Sequence, residues 1–149
     1  MDPAPLIPHV GEAILLDEIH ETGRDDQLAG SLTVRGGTAF SDRDDSLPGW
    51  TGVEILAQVI AAFATLRHGR PGDPARIGLL LGVREYRCSH DRFPLGMRLD
   101  AEIVESMSDG HALGVFDGVL KSGAQVVAAG VLSTYRVGDL GSFMADSHL

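Results

Sequence analysis

Trp50–His68, read as WTGVEILAQVIAAFATLRH, is the stretch on which the fold turns. It holds no proline and a single glycine, near its start. As a helix it would be about 28 Å long. Val53, Ile55, Leu56, Val59, Ile60, Phe63 and Leu66 point in most directions around its axis, so this helix belongs inside the molecule rather than on a surface. Glu54, Gln58 and Thr65 interrupt the apolar pattern. Glu54 and Gln58 are four residues apart and share one face. Gly69, Pro71, Gly72 and Pro74 stop the helix.

On the C-terminal side the pattern changes to strands. Ile77–Arg87, Leu99–Met107, Ala112–Lys121 and Gln125–Val137 are separated by the turn residues Phe93–Gly96, Ser108–Gly110 and Ser122–Gly123. On the N-terminal side, Gln27–Arg35 alternates with the two-residue period of a half-buried strand, and Ala13–Ile19 is a short apolar strand. Gly36–Ser46 reads as a loop, with Asp42, Arg43, Asp44 and Asp45 clustered in it. Pro3, Pro5 and Pro8 predict an extended arm over residues 1–12, and 138–149 reads as a loose tail. One helix cannot cover both faces of a sheet. The expectation is one α+β domain over 1–149, a curved antiparallel sheet wrapped around one long central helix, which is the hotdog fold. Its edge strands and outer helix face call for a dimer.

Composition narrows the function. A chain of 149 residues has room for one core. Its net charge of −9 argues against nucleic-acid binding, which needs a basic face. A lone cysteine, Cys88, excludes an internal disulfide framework and a cysteine-based zinc site. No apolar run reaches the roughly 18 residues of a membrane span. Met1–Pro8 lacks the basic and long apolar regions of a secretory signal, so a cytoplasmic protein is the expectation. No metal or cofactor is expected.

Leu6-Ile7-Pro8-His9 followed by Ile14-Leu15-Leu16-Asp17 resembles the opening of the 3-hydroxyacyl-acyl-carrier-protein dehydratases. Pro48-Gly49 followed by Val53-Glu54-Ile55-Leu56-Ala57-Gln58 is similar to their central-helix signature. Phe93-Pro94-Leu95-Gly96-Met97-Arg98-Leu99 is similar to their later proline-glycine turn. Leu47-Pro48-Gly49-Trp50 with Glu54, and Leu80-Leu81-Gly82-Val83-Arg84-Glu85, resemble most the dehydratase-like hotdog proteins of aryl-polyene gene clusters. The resemblance implies removal of water from a 3-hydroxyacyl thioester on an acyl carrier protein, in fatty-acid or polyene synthesis. It implies Glu54 as the catalytic carboxylate and the Gly49 amide as the donor to the thioester carbonyl. An opening helix turn suits that role, because its amides are unpaired and carry partial positive charge. The family's histidine, fourteen residues before the carboxylate, has no counterpart; Phe40 stands there.

Each candidate has a plainer reading. Thr51-x-x-Glu54 fits a capping box, in which the carboxylate only satisfies a backbone donor. Buried beside apolar walls, Glu54 would instead favour its acid form. Gln58 reads as structural support, or as a residue that orients Glu54 or binds substrate. Trp50 packs, or walls an acyl pocket. His9 anchors the N-terminal arm, His68 complements the helix dipole, and His20, His90, His111 and His148 sit in loops. Ser41 and Asp42 lie near the missing histidine position. Residues 67–98 hold seven arginines against three acids. Arg84 and Arg87 in that segment are candidates for docking an acidic carrier protein and its phosphopantetheine phosphate; the alternative is pairing with internal acids. Two rival functions remain: a half-site or non-catalytic subunit of a heterodimer with another hotdog protein, and an acyl thioesterase. A homodimer is the partner state for the full enzyme.

Overall fold

The computed structural model describes residues 1–69, 77–110 and 113–137, with the side chains of 77–81 and 136–137 outside the description. The expected tail at 138–149, and with it His148, lies outside the described residues, as do Pro71, Gly72, Pro74, Arg70, Arg76 and His111.

The described strands are β1 (Glu18–His20), β2 (Gln27–Thr33), β3 (Leu47–Pro48), β4 (Ile77–Cys88), β5 (Arg92–Phe93), β6 (Arg98–Ser108), β7 (Leu113–Ser122) and β8 (Gln125–Val137). The helix, α1, is Thr51–His68. Six strands form one antiparallel sheet in the order β1-β2-β6-β7-β8-β4, and β3 pairs with β5 beside it. Helix α1 touches β2, β4, β6, β7 and β8, so the sheet curves round it. This is the α+β hotdog arrangement.

Alternation explains the register. Leu99, Ala101 and Ile103 of β6 are buried, as are Gly114, Phe116, Gly118 and Leu120 of β7, with exposed or half-buried residues between them. They meet Ile55, Leu56, Val59, Ile60, Ala62 and Phe63 of α1. Phe63 stands edge-on to Phe116, with ring centroids 5.5 Å apart. The helix sits close because β7 offers a bare backbone at Gly118. A Cβ there would lie 2.8 Å from Leu56 Cδ1.

The N-terminal arm is not extended. Leu6 N–H donates to the Pro3 carbonyl, Gly11–Ala13 form a 3-10 turn, and Ile7 is buried. The Met1 ammonium and carbonyl both pair with the Ile19 backbone. Proline fixes φ but does not forbid a turn, and burial of Ile7 favours the folded course. The apolar run from Ala13 yields only the short β1, because its first residues are bonded to side chains of α1 and to Arg35.

Candidate active site

Three polar side chains on one stripe of α1 sew the N-terminal segment to the helix. Thr65 Oγ1 donates to the Leu6 carbonyl at 2.7 Å. Gln58 Nε2 donates to the Ala13 carbonyl at 2.8 Å, while Gln58 Oε1 accepts from the Leu15 amide at 3.0 Å. At the N-terminal end, His9 Nε2 lies 2.8 Å from Glu54 Oε1. Positions 54, 58 and 65 share one face at helical spacing, which is why one strap of chain reaches all three.

Glu54 Oε1 thus has two neighbours, His9 Nε2 and, at 3.3 Å, Gln58 Nε2. Oε2 has no protein donor among the described residues. The Glu54 side chain is 27% exposed and the His9 side chain 24%. The carboxylate is therefore neither in bulk water nor fully dry, as a group meant to meet a ligand at one edge must be. His9 Nδ1 is buried with no partner. A buried N–H without an acceptor costs about 1–3 kcal/mol, so the ring carries its proton on Nε2 and donates it to Glu54.

The capping box does not form. Thr51 Oγ1 donates to the Pro48 carbonyl at 2.6 Å, and α1 has no side-chain cap. The expected role of the Gly49 amide is also displaced: it donates to the Asp91 carbonyl at 2.7 Å. That bond belongs to the close approach of the 88–91 turn, where a Gly49 Cβ would lie 2.3 Å from the His90 carbonyl oxygen. The next two amides, of Trp50 and Thr51, donate to no described residue. Thr51 is fully buried and Trp50 is largely exposed, so of the two it is the Trp50 amide that opens toward solvent.

Behind this end sits Tyr86, whose hydroxyl donates to the Gly49 carbonyl at 2.6 Å. Gly52 leaves room for it, since a Cβ there would lie 2.2 Å from the hydroxyl oxygen. Glu85 has φ 55 at the bulge between Arg84 and Arg87, and this irregularity turns Tyr86 toward the helix. Burial, with a smaller effect of Cys88, holds the Tyr86 phenol well above its ordinary range.

The remaining candidates separate. Trp50 is 60% exposed and edge-on to Phe40, with centroids 6.2 Å apart. Phe40, at the family's histidine position, is thus a packing residue. Asp42 pairs with Arg92, and Ser41 bonds Thr38. His90 accepts from or donates to Ser89, and His20 pairs with Ser31. His68 is in the last turn of α1. Arg84 and Arg87 are exposed on β4 and make no ion pair among the described residues. By contrast, Arg67 grips Glu21, whose carboxyl that hydrogen bond holds below the usual range, and Arg98 pairs with Asp100.

A cavity of about 70 Å³ lies between the C-terminal half of α1 and the β6–β7 end, lined in part by Ile60, Phe63, Leu113 and Phe116. Glu54 is not in its wall. Among the described residues, no three His, Cys, Asp or Glu side chains converge on a common point, and no helix is long and apolar enough to cross a membrane. The sequence marks His9 through its leucine-proline-histidine setting and reads it as an anchor of the arm, but nothing local links it to Glu54.

A family model described as ApeP-like, ApeP dehydratase, matches residues 1–145. The structure of the dehydratase heterocomplex ApeI:P from Xenorhabdus doucetiae contains a chain 25% identical, matched over 99% of this chain and 98% of that one, with TM-score 0.86. The TT0310 protein from Thermus thermophilus is 15% identical over 85% of this chain and 95% of its own, with TM-score 0.60. A mutant of the thioesterase PA1618 from Pseudomonas aeruginosa is 17% identical over 78% of each chain, with TM-score 0.57. The last two share the fold alone. No curated protein matches the chain.

Proposed function

The chain belongs to the ApeP-like dehydratase family, and we propose that it removes water from a 3-hydroxyacyl thioester presented by an acyl carrier protein. The observation that carries this reading is the partly exposed Glu54 carboxylate, anchored through Oε1 by His9 and Gln58, one helical turn along from the unpaired Trp50 amide at the start of α1.

In this reading Glu54 Oε2 accepts the proton from the carbon alpha to the thioester. The bonding electrons move onto the thioester oxygen, which becomes an enolate. The Trp50 amide, with the positive end of the helix behind it, receives that oxygen in place of the occupied Gly49 amide. As the enolate collapses to the enoyl product, the bond from the beta carbon to its hydroxyl breaks. Glu54 returns its proton to that hydroxyl, which leaves as water, and the carboxylate is restored. A single carboxylate can serve both transfers when hydrogen and hydroxyl leave from one face.

Exposed Arg84 and Arg87 supply the positive charge that would meet an acidic carrier protein. The likeness to a chain of the ApeI:P heterocomplex, together with Phe40 in place of the family histidine, favours a second reading: this chain works paired with another hotdog chain. Among the described strands β4 stands at an edge of the sheet, with no described strand on its outer side.

The test is turnover of a 3-hydroxyacyl carrier protein by the purified chain, alone and mixed with a histidine-bearing hotdog partner, followed by mass of the acyl group. Enoyl product is expected; free acid would instead identify a thioesterase. Glu54→Gln should lower turnover by about 10²–10⁴-fold. It should leave the thermal midpoint within a few degrees. Full activity in Glu54→Gln removes the assignment, and activity seen only in the mixture establishes the paired form.

A further inference from the structure

We propose that His9 is the positioning residue of this site, holding the Glu54 carboxylate from within the same chain. The inference rests on the reading of Glu54 given above. The dehydratase pattern places a histidine before the central helix, and here that place is taken by Phe40, which packs against Trp50. The imidazole that reaches the carboxylate comes instead from the N-terminal segment of the same chain, with Nε2 2.8 Å from Glu54 Oε1. The two residues are 45 positions apart, on a segment that is held along α1 by Gln58, by burial of Ile7 and, farther off, by Thr65.

Two features distinguish this from a chance contact. First, the ring is fixed: its side chain is only 24% exposed and its Nδ1 is buried without a partner, so the polar atom with a role is Nε2. The tautomer with hydrogen on Nε2 donates to the carboxylate. Second, the contact uses Oε1 and leaves Oε2 open. His9 and Gln58 therefore select which oxygen faces the substrate and lock the Glu54 rotamer. A carboxylate on a solvent-facing helix turn samples several rotamers, and misplacement by about 1 Å lowers a rate by about 10²-fold. Glu54 is the titratable group in contact with His9. Glu12 on the same segment is exposed, and Arg35 and Asp42 on the preceding loop are bonded elsewhere.

The experiment compares His9→Leu, His9→Asn and Thr65→Val in the full chain, with its hotdog partner present if turnover needs one. Leu removes the donor and keeps bulk; Asn restores an N–H. Thr65→Val loosens the segment at Leu6 without touching the carboxylate. His9→Leu is expected to lower kcat by about 10²-fold with KM changed less than about threefold. His9→Asn is expected to recover most of that loss, and Thr65→Val to keep the native kcat with a lower thermal midpoint. Imidazole added to a His9→Gly variant should restore part of kcat. The proposal is overturned if His9→Leu turns over normally, or if Leu, Asn and Thr65→Val lose activity only in proportion to lost stability. Glu54→Gln serves as the reference: if it is inactive while His9→Leu is normal, Glu54 stands and His9 alone is excluded.

Discussion

Gln58→Leu removes three hydrogen bonds at once, and its cost follows from where the two that reach the N-terminal segment sit. Gln58 is fully buried, and its amide closes the joint between α1 and the N-terminal segment. Its Oε1 accepts from Leu15 N–H at 3.0 Å and its Nε2 donates to the Ala13 carbonyl at 2.8 Å. Leucine has similar bulk and neither polar atom. Leu15 is itself fully buried, so its amide has no route to water and is left unsatisfied at a cost of about 1–3 kcal/mol. Ala13 is half-buried, and loss of the bond to its carbonyl adds about 1 kcal/mol. Better burial of the leucine side chain offsets about 1 kcal/mol. The net loss is about 1–3 kcal/mol, which in a chain of this length lowers the thermal midpoint by roughly 3–10 °C. Urea unfolding should show the same loss as a lower midpoint at unchanged slope. A companion, Gln58→Glu, places a second carboxylate beside Glu54 and the Ala13 carbonyl. Its folded-state pKa should lie above the unfolded value of about 4.3. Its destabilisation should then be absent below that value and grow as the pH rises through the folded one. A fall of less than about 2 °C in Gln58→Leu would mean that the segment is held by apolar packing alone, and the polar stitching would be refuted.

Tyr86→Phe removes the bond to the Gly49 carbonyl and should cost about 1 kcal/mol near neutrality. The native phenol is raised above its ordinary value, so its stabilisation is present below the unfolded pKa of about 10 and declines above it; alkaline melting curves of the Phe variant should fall less steeply. Gly118→Ala presses a methyl against Leu56 and should destabilise by about 1–3 kcal/mol, while adding Leu56→Ala should cost less than the sum of the two single changes in a double-mutant cycle. Replacing Arg84 and Arg87 together by alanine should weaken carrier-protein binding in a salt-dependent way; unchanged affinity by titration at low salt would remove these residues from docking.

The periodic parts of the molecule are legible in the residues alone. The run from Val53 to Leu66 could only be a buried helix, and the pattern in Gln125–Val137 predicts that strand with its observed bounds. These signals are local, because a residue's neighbours three, four or two positions away set which face it shares. The two-residue pairings Leu47–Pro48 and Arg92–Phe93 are not legible, since strands so short carry no period. The site emerges only when the chain is folded. Gly49 gives its amide to Asp91, Thr51 bonds Pro48 instead of capping, and His9 meets Glu54. Each of these depends on a long-range approach or on competition among several partners for one donor, and spacing along the chain records neither.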